Sequence, residues 1–576
     1  MAIVISEEHE IVLNATGHLL VTGGPGSGKT TIALQKALKY IDENNLQSGQ
    51  QVLFLSFSRA AVSRISQSAD LVVSRDDFQD FLSIQTFHSF FWEIIKTHGY
   101  LLGIPKKLTI FSPHDEDSAR QGRNKDDDTW LQERRDVLMT DGKICFDLFA
   151  ETALSILRGS KTIRDLYTRK FPLIIIDEAQ DTDAQQWEYI RVFSGESQVI
   201  LLADLDQQIH DYREDVTPER INDIIRELNP TQVALGNTNH RSGGTEIAIF
   251  ARDLLNNTPR TTGYSGVSML KYQPRGSQRD LRIRQSVGIL YQSIRTALGR
   301  EPESIAILAS WGHGVKIISN ALRESNGRLE IPHRVQFDET ATYLSSRVIA
   351  CLLEPKQEEN ILLDIAEVLD LICNLYRSKG QRSEWEKYSR WASDLRRGTL
   401  PTRGTVVSEI KRIMETITTT SFTGDPEKDW LMIKNLLLAS TNAGVVGIGK
   451  SAEYLMAFNR GRLISKGLSR QWEEKRSYKN ARNILDMAII ETQIVSENKN
   501  QGGINVMTIH KAKGKEFDGV ILFDNLHSCP FVARGDVDPL IKSRKLLLVG
   551  ITRAKCQTII LQDVSQACPI LSNFNL

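Results

Sequence analysis

The sequence predicts an α/β protein built on parallel sheets, and three observations carry that prediction. The glycine-rich run Gly23-Gly24-Pro25-Gly26-Ser27-Gly28-Lys29-Thr30 follows the apolar stretch His18 to Thr22 and opens a helical pattern from Ile32 to Tyr40. A second apolar run, Leu173 to Ile176, ends on the adjacent carboxylates Asp177 and Glu178, and a third, Val199 to Ala203, ends on Asp204. Open α/β sheets bind their ligands at the carboxyl ends of the strands, which is where these side chains fall.

The first element is a strand, loop and helix in the order a phosphate site requires. Glycines let successive amide N–H groups face a triphosphate, Lys29 reaches the outer phosphates, and the Thr30 hydroxyl is suited to Mg2+. Lys-Thr after the last glycine separates this loop from the dinucleotide fingerprint. Gln51 to Phe57 reads as a second buried strand. At the end of the Leu173 to Ile176 strand, Asp177 is placed to hold Mg2+ through a water, and Glu178 to orient and deprotonate the water that attacks a γ-phosphate.

Between His88 and Asp177 the charge-rich stretch His114 to Arg135, with Asp126-Asp127-Asp128, reads as a loop or arm. The segment from Glu354 to about Asn500 is mostly helical in periodicity, with Trp385, Trp391, Trp430 and Trp472 spread among charged residues as structural side chains. Strands return at Ser304 to Ala309, Val520 to Phe523 and Thr558 to Leu561, which implies a second sheet.

Composition bounds the rest. The 576 residues suffice for three or four domains of roughly 150 residues each. No stretch approaches the roughly 20 apolar residues of a membrane span, and Glu7, Glu8 and Glu10 exclude a signal peptide, so a cytoplasmic setting is expected. The six cysteines are scattered without a close pair and are expected as buried thiols. With 71 basic and 71 acidic residues the chain lacks the footprint of a protein that coats nucleic acid, and a polyanion must meet a local groove.

The motifs, in order, resemble those of the superfamily 1 helicases related to UvrD, Rep and PcrA. Ser56-Phe57-Ser58-Arg59-Ala60-Ala61 resembles motif Ia, and Thr86-Phe87-His88-Ser89 the DNA-contacting motif after it. Asp177-Glu178-Ala179-Gln180-Asp181-Thr182 resembles motif II, Asp204-Leu205-Asp206-Gln207-Gln208-Ile209-His210-Asp211-Tyr212-Arg213 motif III, and Asn239-His240-Arg241-Ser242 motif IV. Val506 to Phe517, containing His510-Lys511-Ala512-Lys513-Gly514-Lys515-Glu516, resembles motif V. Val549-Gly550-Ile551-Thr552-Arg553-Ala554 resembles motif VI.

The resemblance implies two RecA-like P-loop domains with mainly helical insertions. Domain 1A would span 1–92 and 150–255, with a reduced 1B-like insertion at 93–149. Domain 2A would span 256–355 and 501–576, with a 2B-like insertion at 356–500. ATP and Mg2+ are the implied cofactors. Lys29, Thr30, Asp177 and Glu178 would form one wall of the ATP cleft, with Gln207 sensing the γ-phosphate or its attacking water. Arg241 and Arg553 match two arginine fingers, whose permanent charge suits the transferring phosphoryl group. Glu516 matches a ribose contact.

The chain departs from the family in three places. His9 occupies the slot of the adenine-contacting glutamine, His240 that of the stacking tyrosine, and Thr31 that of an arginine after the phosphate loop. A neutral imidazole offers one donor and one acceptor, so base selectivity is open to change. Phe57 and Tyr212 match base-stacking positions, and Thr86, His88, Thr508 and His510 match phosphate or sugar contacts. Val446-Gly447-Ile448-Gly449-Lys450 is similar to the Gly-Ile-Gly turn that touches duplex phosphates, with a helix-ending turn as the alternative.

The function implied is an ATP-dependent DNA helicase or translocase on single-stranded DNA or single/double-strand junctions, moving 3′ to 5′, a polarity taken wholly from the resemblance. A second reading stays open. Compact chains of this kind also resemble helicase-like subunits of bacterial defence systems such as Gabija, where the chain would sense DNA ends and regulate a partner nuclease. Little room follows the last motif for an appended nuclease, so any nuclease is expected as a separate protein. A scaffold without turnover is disfavoured by the full set of catalytic residues.

Overall fold

The computed structural model describes the chain apart from residues 1–6, 25, 45, 58–60, 63–64, 67–68, 70–79, 106, 112, 121–122, 125–126, 205–219, 236–243, 324–328, 337–339, 357–359, 379–380, 402–404, 453–462, 495–501, 527–528, 534 and 566–567. Two compact units emerge: one comprises 1–95, 150–336 and 496–576, the other 96–149 and 337–495.

The first unit contains two parallel six-stranded sheets. One joins β1 (Leu19–Thr22), β2 (Val52–Ser56), β3 (Leu82–Thr86), β6 (Leu173–Ile176), β7 (Gln198–Ala203) and β8 (Thr231–Ala234) in the order β3-β2-β6-β7-β1-β8. The other joins β9 (Val267–Tyr272), β10 (Ser304–Ala309), β11 (His333–Gln336), β12 (Gly503–Thr508), β13 (Phe517–Phe523) and β14 (Ala554–Asp563) in the order β11-β12-β10-β13-β14-β9. The short pair β4 (Thr109–Ile110) and β5 (Lys143–Ile144) belongs to the second unit.

The central strands are continuous apolar runs because both faces are covered, as parallel sheets require. Every residue of Val52–Ser56, Leu173–Ile176 and Phe517–Phe523 is buried. Each buried Val, Leu or Ile contributes about 1.5–3 kcal/mol by leaving water. Ile175→Ala, at a position with no exposure, is expected to cost about 2–5 kcal/mol. Register aligns the strand ends: Leu19 pairs with Ile200 and Leu173 with Gln198, so the segments after β1, β6 and β7 emerge at one edge.

The second unit is helical. A core including Leu344, Ile365, Leu369, Ile413, Ile433, Leu468 and Leu485 runs through its helices. Trp430 is 6% exposed, and Trp385, Trp391 and Trp472 pack against this core, as the structural reading expected. Arg347 donates to Asp486 at 2.8 Å and pairs with Asp115, tying residues of both insertions together. Helix Thr340–Leu353 groups with this unit and not with the second sheet.

Two local expectations are corrected. The stretch His114 to Arg135 is largely helical and not the loop or arm its charge suggested. It holds helices Pro113–Arg120 and Asp128–Asp141, the second capped by Asp127 accepting from Trp130 N and anchored by Trp130, which is 3% exposed. Gly447 to Lys450 is not a turn. It lies inside helix Ala443–Ala452, where Gly449 approaches Leu437 and Leu438 so closely that an added Cβ would meet Leu438 at 3.1 Å. Helical bonding occupies the backbone there, which leaves no concave nest of free amides.

Candidate nucleotide and nucleic-acid site

The phosphate loop is built as the sequence requires. Gly26 and Gly28 adopt φ of 79° and 88°, which glycine reaches without steric cost. Gly23 leaves room for Ser27, since a Cβ there would lie 2.5 Å from Ser27 Oγ. Helix Lys29–Asn44 then starts at the lysine, placing Thr30 and Thr31 in its first turn. Its first amides and positive dipole end point toward the loop, the arrangement that favours an anion.

Lys29 is folded over the loop. Its Nζ donates to Gly23 O at 2.6 Å and Gly24 O at 3.0 Å, and lies 3.5 Å from Asp204 Oδ2. Ser27 is 4% exposed and its hydroxyl has no hydrogen-bond partner. An unpartnered buried donor beside a lysine bonded to loop carbonyls is a loop short of acceptors, and a triphosphate supplies them. The oxygen donors Thr30, Asp177 and Asp204 suit a hard divalent cation. The residues therefore fit ATP with Mg2+. Among the described residues no group of three or more His, Cys, Asp or Glu forms a metal cluster by itself.

Asp177 is 5% exposed and its amide donates to Leu55 O at 2.9 Å. Glu178 sits in the left-handed region, φ 57° and ψ 42°. That conformation is rare for a residue with a Cβ, and such strain clusters at functional sites. Gln180 bridges two strand ends: its Nε2 donates to Glu178 Oε2 at 2.6 Å and its Oε1 accepts from Asp204 N at 3.0 Å.

The second sheet contributes charge to the same place. Lys513 Nζ lies 3.9 Å from Glu178 Oε2 and bonds to Asp181, which is 1% exposed. Burial alone would push Glu178 up, but the charges of Lys513 and Lys29, the Gln180 hydrogen bond and the charge of Arg553 outweigh it. Glu178 is held below its ordinary range and is an anion at neutral pH. Burial alone would lower Lys513, yet Glu178 and Asp181 raise it, so it stays a cation.

Arg553 is 2% exposed. Its Nε donates to Val549 O at 2.9 Å, Nη1 to Lys515 O at 3.5 Å and Nη2 to Thr552 Oγ1 at 3.1 Å. It acts on Glu178 through its field, and these three hydrogen bonds join it to Val549, Lys515 and Thr552. Glu516 is partly exposed, 3.9 Å from Lys555 Nζ. His9 is half-buried on helix Glu7–Asn14. Pro25, Gln207, Tyr212, His240 and Arg241 lie outside the described residues.

The expected DNA contacts among the described residues lie at or just beyond strand carboxyl ends. Phe57 follows β2 and packs on Phe87 with ring centroids 5.0 Å apart. Thr86 ends β3, and its hydroxyl accepts from Ser89 N at 3.1 Å, so it caps helix Phe87–His98, on which His88 is exposed. Thr508 ends β12 and accepts from Lys511 N at 3.4 Å, while His510 is exposed beyond it. Sequence reasoning gave no role to Lys513, Gln180, Asp181 or Asp204. Asp204 carried the usable signal, a carboxylate at the end of an apolar run.

Residues 5–144 and 118–225 match the family described as the UvrD/REP helicase N-terminal domain, and residues 459–563 the UvrD-like helicase C-terminal domain. The chain is similar to DNA helicase II of Haemophilus influenzae, 21% identical over 623 residues that cover 95% of this chain and 82% of that protein. It is similar to the ATP-dependent DNA helicase Rep of Salmonella typhimurium, 24% identical over 42% of each chain. The ATP-dependent DNA helicase PcrA of Staphylococcus aureus is 22% identical over 36% of this chain and 34% of its own length. The PcrA and Rep matches thus span well under two thirds of those relatives. Among solved structures the Pif1 helicase from Candida albicans aligns over 50% of this chain and 55% of its own, with 16% identity and a TM-score of 0.26. No helix among the described residues is long and apolar enough to cross a membrane.

Proposed function

We propose, for a chain that belongs to the UvrD/REP helicase family, that it is an ATP-dependent DNA helicase or translocase acting on single-stranded DNA. The supporting observation is the charge constellation at one edge of the first unit. Lys29, Glu178 and Asp204 come from the first sheet, and Lys513 and Arg553 from the second. A site assembled from two sheets links hydrolysis to their relative position, which is what a motor needs.

In this reading Lys29 exchanges the carbonyls of Gly23 and Gly24 for phosphate oxygens, and Ser27 donates its unpaired hydroxyl. Thr30 and Asp177 hold Mg2+, which neutralises charge on the outer phosphates when bound. Glu178, kept anionic, accepts a proton from the attacking water, and Gln180 holds its carboxylate. Arg553 releases its backbone partners to face the γ-phosphate, joined by Arg241, while Gln207 orients the water. Glu516 takes the ribose, and His9 and His240 take the base. The strand runs over Phe57, Thr86, His88, Tyr212, Thr508 and His510, and polarity is 3′ to 5′ by family likeness.

Steady-state ATP hydrolysis by the full chain, with and without single-stranded DNA, tests the proposal. Strong stimulation is expected, and a Lys29→Ala variant should show none. Equal hydrolysis with and without DNA would overturn it.

A further inference from the structure

The phosphate loop and the paired carboxylates follow the carboxyl ends of β1, β6 and β7, whereas His18, Pro172 and Ser197 immediately precede the same strands. At this amino edge of the first sheet lies a cleft of about 720 Å³, lined by those residues and by helix Lys29–Asn44. Small-molecule sites run to roughly 300–1,000 Å³, so the cleft has room for a metabolite. The helix presents Lys36, Lys39, Tyr40 and Glu43 to it, since residues three, four and seven apart share one face.

Most polar groups around the cleft are already engaged. Lys39 Nζ donates to Asn14 Oδ1 at 2.6 Å and lies 3.6 Å from Glu43, and Glu196 Oε2 accepts from Thr168 Oγ1 at 2.8 Å. His18 Nδ1 accepts from Val199 N at 3.1 Å, and its ring also bonds the Ser194 backbone. Two buried groups are left short. Ser197 is 2% exposed, and its hydroxyl has no hydrogen-bond partner. Lys36 is 5% exposed and donates to Leu13 O at 2.8 Å and Ala15 O at 2.7 Å, both neutral acceptors. An ammonium has three donors, and among the described residues Lys36 forms no ion pair. Burial lowers its pKa, the charge of Lys39 adds to that, and Glu43 opposes both. A buried cation with neutral partners gains from an anion, and an unpartnered hydroxyl from an acceptor oxygen. Helices Glu7–Asn14 and Ala184–Ser194 also end here, but Lys36 and His18 already engage their carbonyl ends, which a bound cation would otherwise seek.

We infer that the amino-edge cleft is a binding site for a small anion carrying carboxylate or phosphate oxygens, with Lys36 supplying its charge and third N–H, and Ser197 its hydroxyl. Such a site is separate from the nucleotide site at the opposite edge and stands apart from the helicase reading. Helix Lys29–Asn44 joins the two edges. It begins at Lys29 and reaches Lys36 about 10 Å further on, at about 1.5 Å per residue. An anion held at Lys36 therefore bears on the helix that carries Lys29 and Thr30.

Equilibrium dialysis of the full chain against labelled citrate, and separately against labelled inorganic phosphate, tests it. The chain carries Lys29→Ala throughout, which disables the phosphate loop, and Lys36→Met and Ser197→Ala are added singly. At least one probe should bind close to one equivalent in the Lys29→Ala chain; citrate alone assigns a carboxylate ligand, and phosphate alone a phosphorylated one. Lys36→Met should weaken that binding roughly tenfold or more, and Ser197→Ala should weaken it severalfold. Ser197→Ala removes a hydroxyl that bonds nothing in the free protein, so it decides the matter if Lys36→Met fails to fold. Absence of binding by both probes overturns the inference. So does binding that Ser197→Ala and a folded Lys36→Met leave unchanged, or that Ser197→Ala leaves unchanged where Lys36→Met does not fold.

Discussion

Gln180 Nε2 lies 2.6 Å from Glu178 Oε2, while the same amide accepts from Asp204 N at 3.0 Å. The end of β6 is thereby locked to the end of β7. Gln180 is a positioning residue, since its contacts run to Glu178 and Asp204. Gln180→Leu keeps the volume and removes both bonds, so turnover should fall about tenfold or more with a smaller change in KM. Steady-state kinetics check this; an unchanged kcat would show that Glu178 needs no such support.

Lys29→Ala should abolish turnover and weaken nucleotide binding together, because the lysine serves ground state and transition state alike. Glu178→Gln should abolish turnover while keeping binding, because only the proton acceptor is lost. Fluorescent-nucleotide titration beside the hydrolysis assay separates the two. Because Glu178 is held below its ordinary range, the acid limb of the pH profile should lie below that of an exposed glutamate. Lys513→Ala should shift that limb upward.

Arg553 donates to Val549 O, Lys515 O and Thr552 Oγ1. If it turns to the γ-phosphate only as the site closes, Arg553→Ala should reduce kcat far more than ATP affinity. A pure affinity loss would place it outside the reacting complex. Loss of its bonds at the start of β14 also predicts a lower Tm.

Asp524, at the end of β13, is 6% exposed and accepts from Phe531 N at 3.0 Å. Burial raises its carboxyl to about 7 against the Phe531 hydrogen bond, with a further push from Asp563. The folded protein therefore keeps a proton that the unfolded chain releases near pH 3.8. The stability this gives is complete below that value and lost as pH rises through about 7, with a slope of up to about 1.4 kcal/mol per pH unit. Asp524→Asn should flatten the decline in denaturant midpoints across this window; an unchanged slope would show that Asp524 does not titrate there.

Much of the first sheet was legible because its central strands are short apolar runs ending on ligand-type side chains. The phosphate loop and Asp177-Glu178 carry their chemistry within a few residues, so spacing alone reveals it. The edge strands β3, β8, β9 and β11 escaped notice, since an edge strand lacks the continuous apolar run of a central one. β12 escaped for another reason, with Asn505 fully buried in its middle.

Lys513 was hidden by distance, since its bond to Asp181 spans 332 residues. The left-handed backbone of Glu178 leaves no mark in the sequence. Dense charge concealed helices Pro113–Arg120 and Asp128–Asp141, whose few anchors, such as Trp130, face inward. Glycines in Gly447-Ile448-Gly449 read as a turn, whereas at Gly449 the missing Cβ serves close packing on Leu437 and Leu438.

The central claim is that this site turns over as the chain moves along a single strand. A track without ends isolates that claim, because a walking enzyme needs only continuous backbone and bases. The measurement is ATP hydrolysis with closed circular and with linear single-stranded DNA at equal nucleotide concentration. The account predicts strong stimulation by circles, comparable to long linear strands, and steeply reduced by salt as phosphate contacts are lost. Stimulation by linear strands alone, scaling with the concentration of ends, would contradict it.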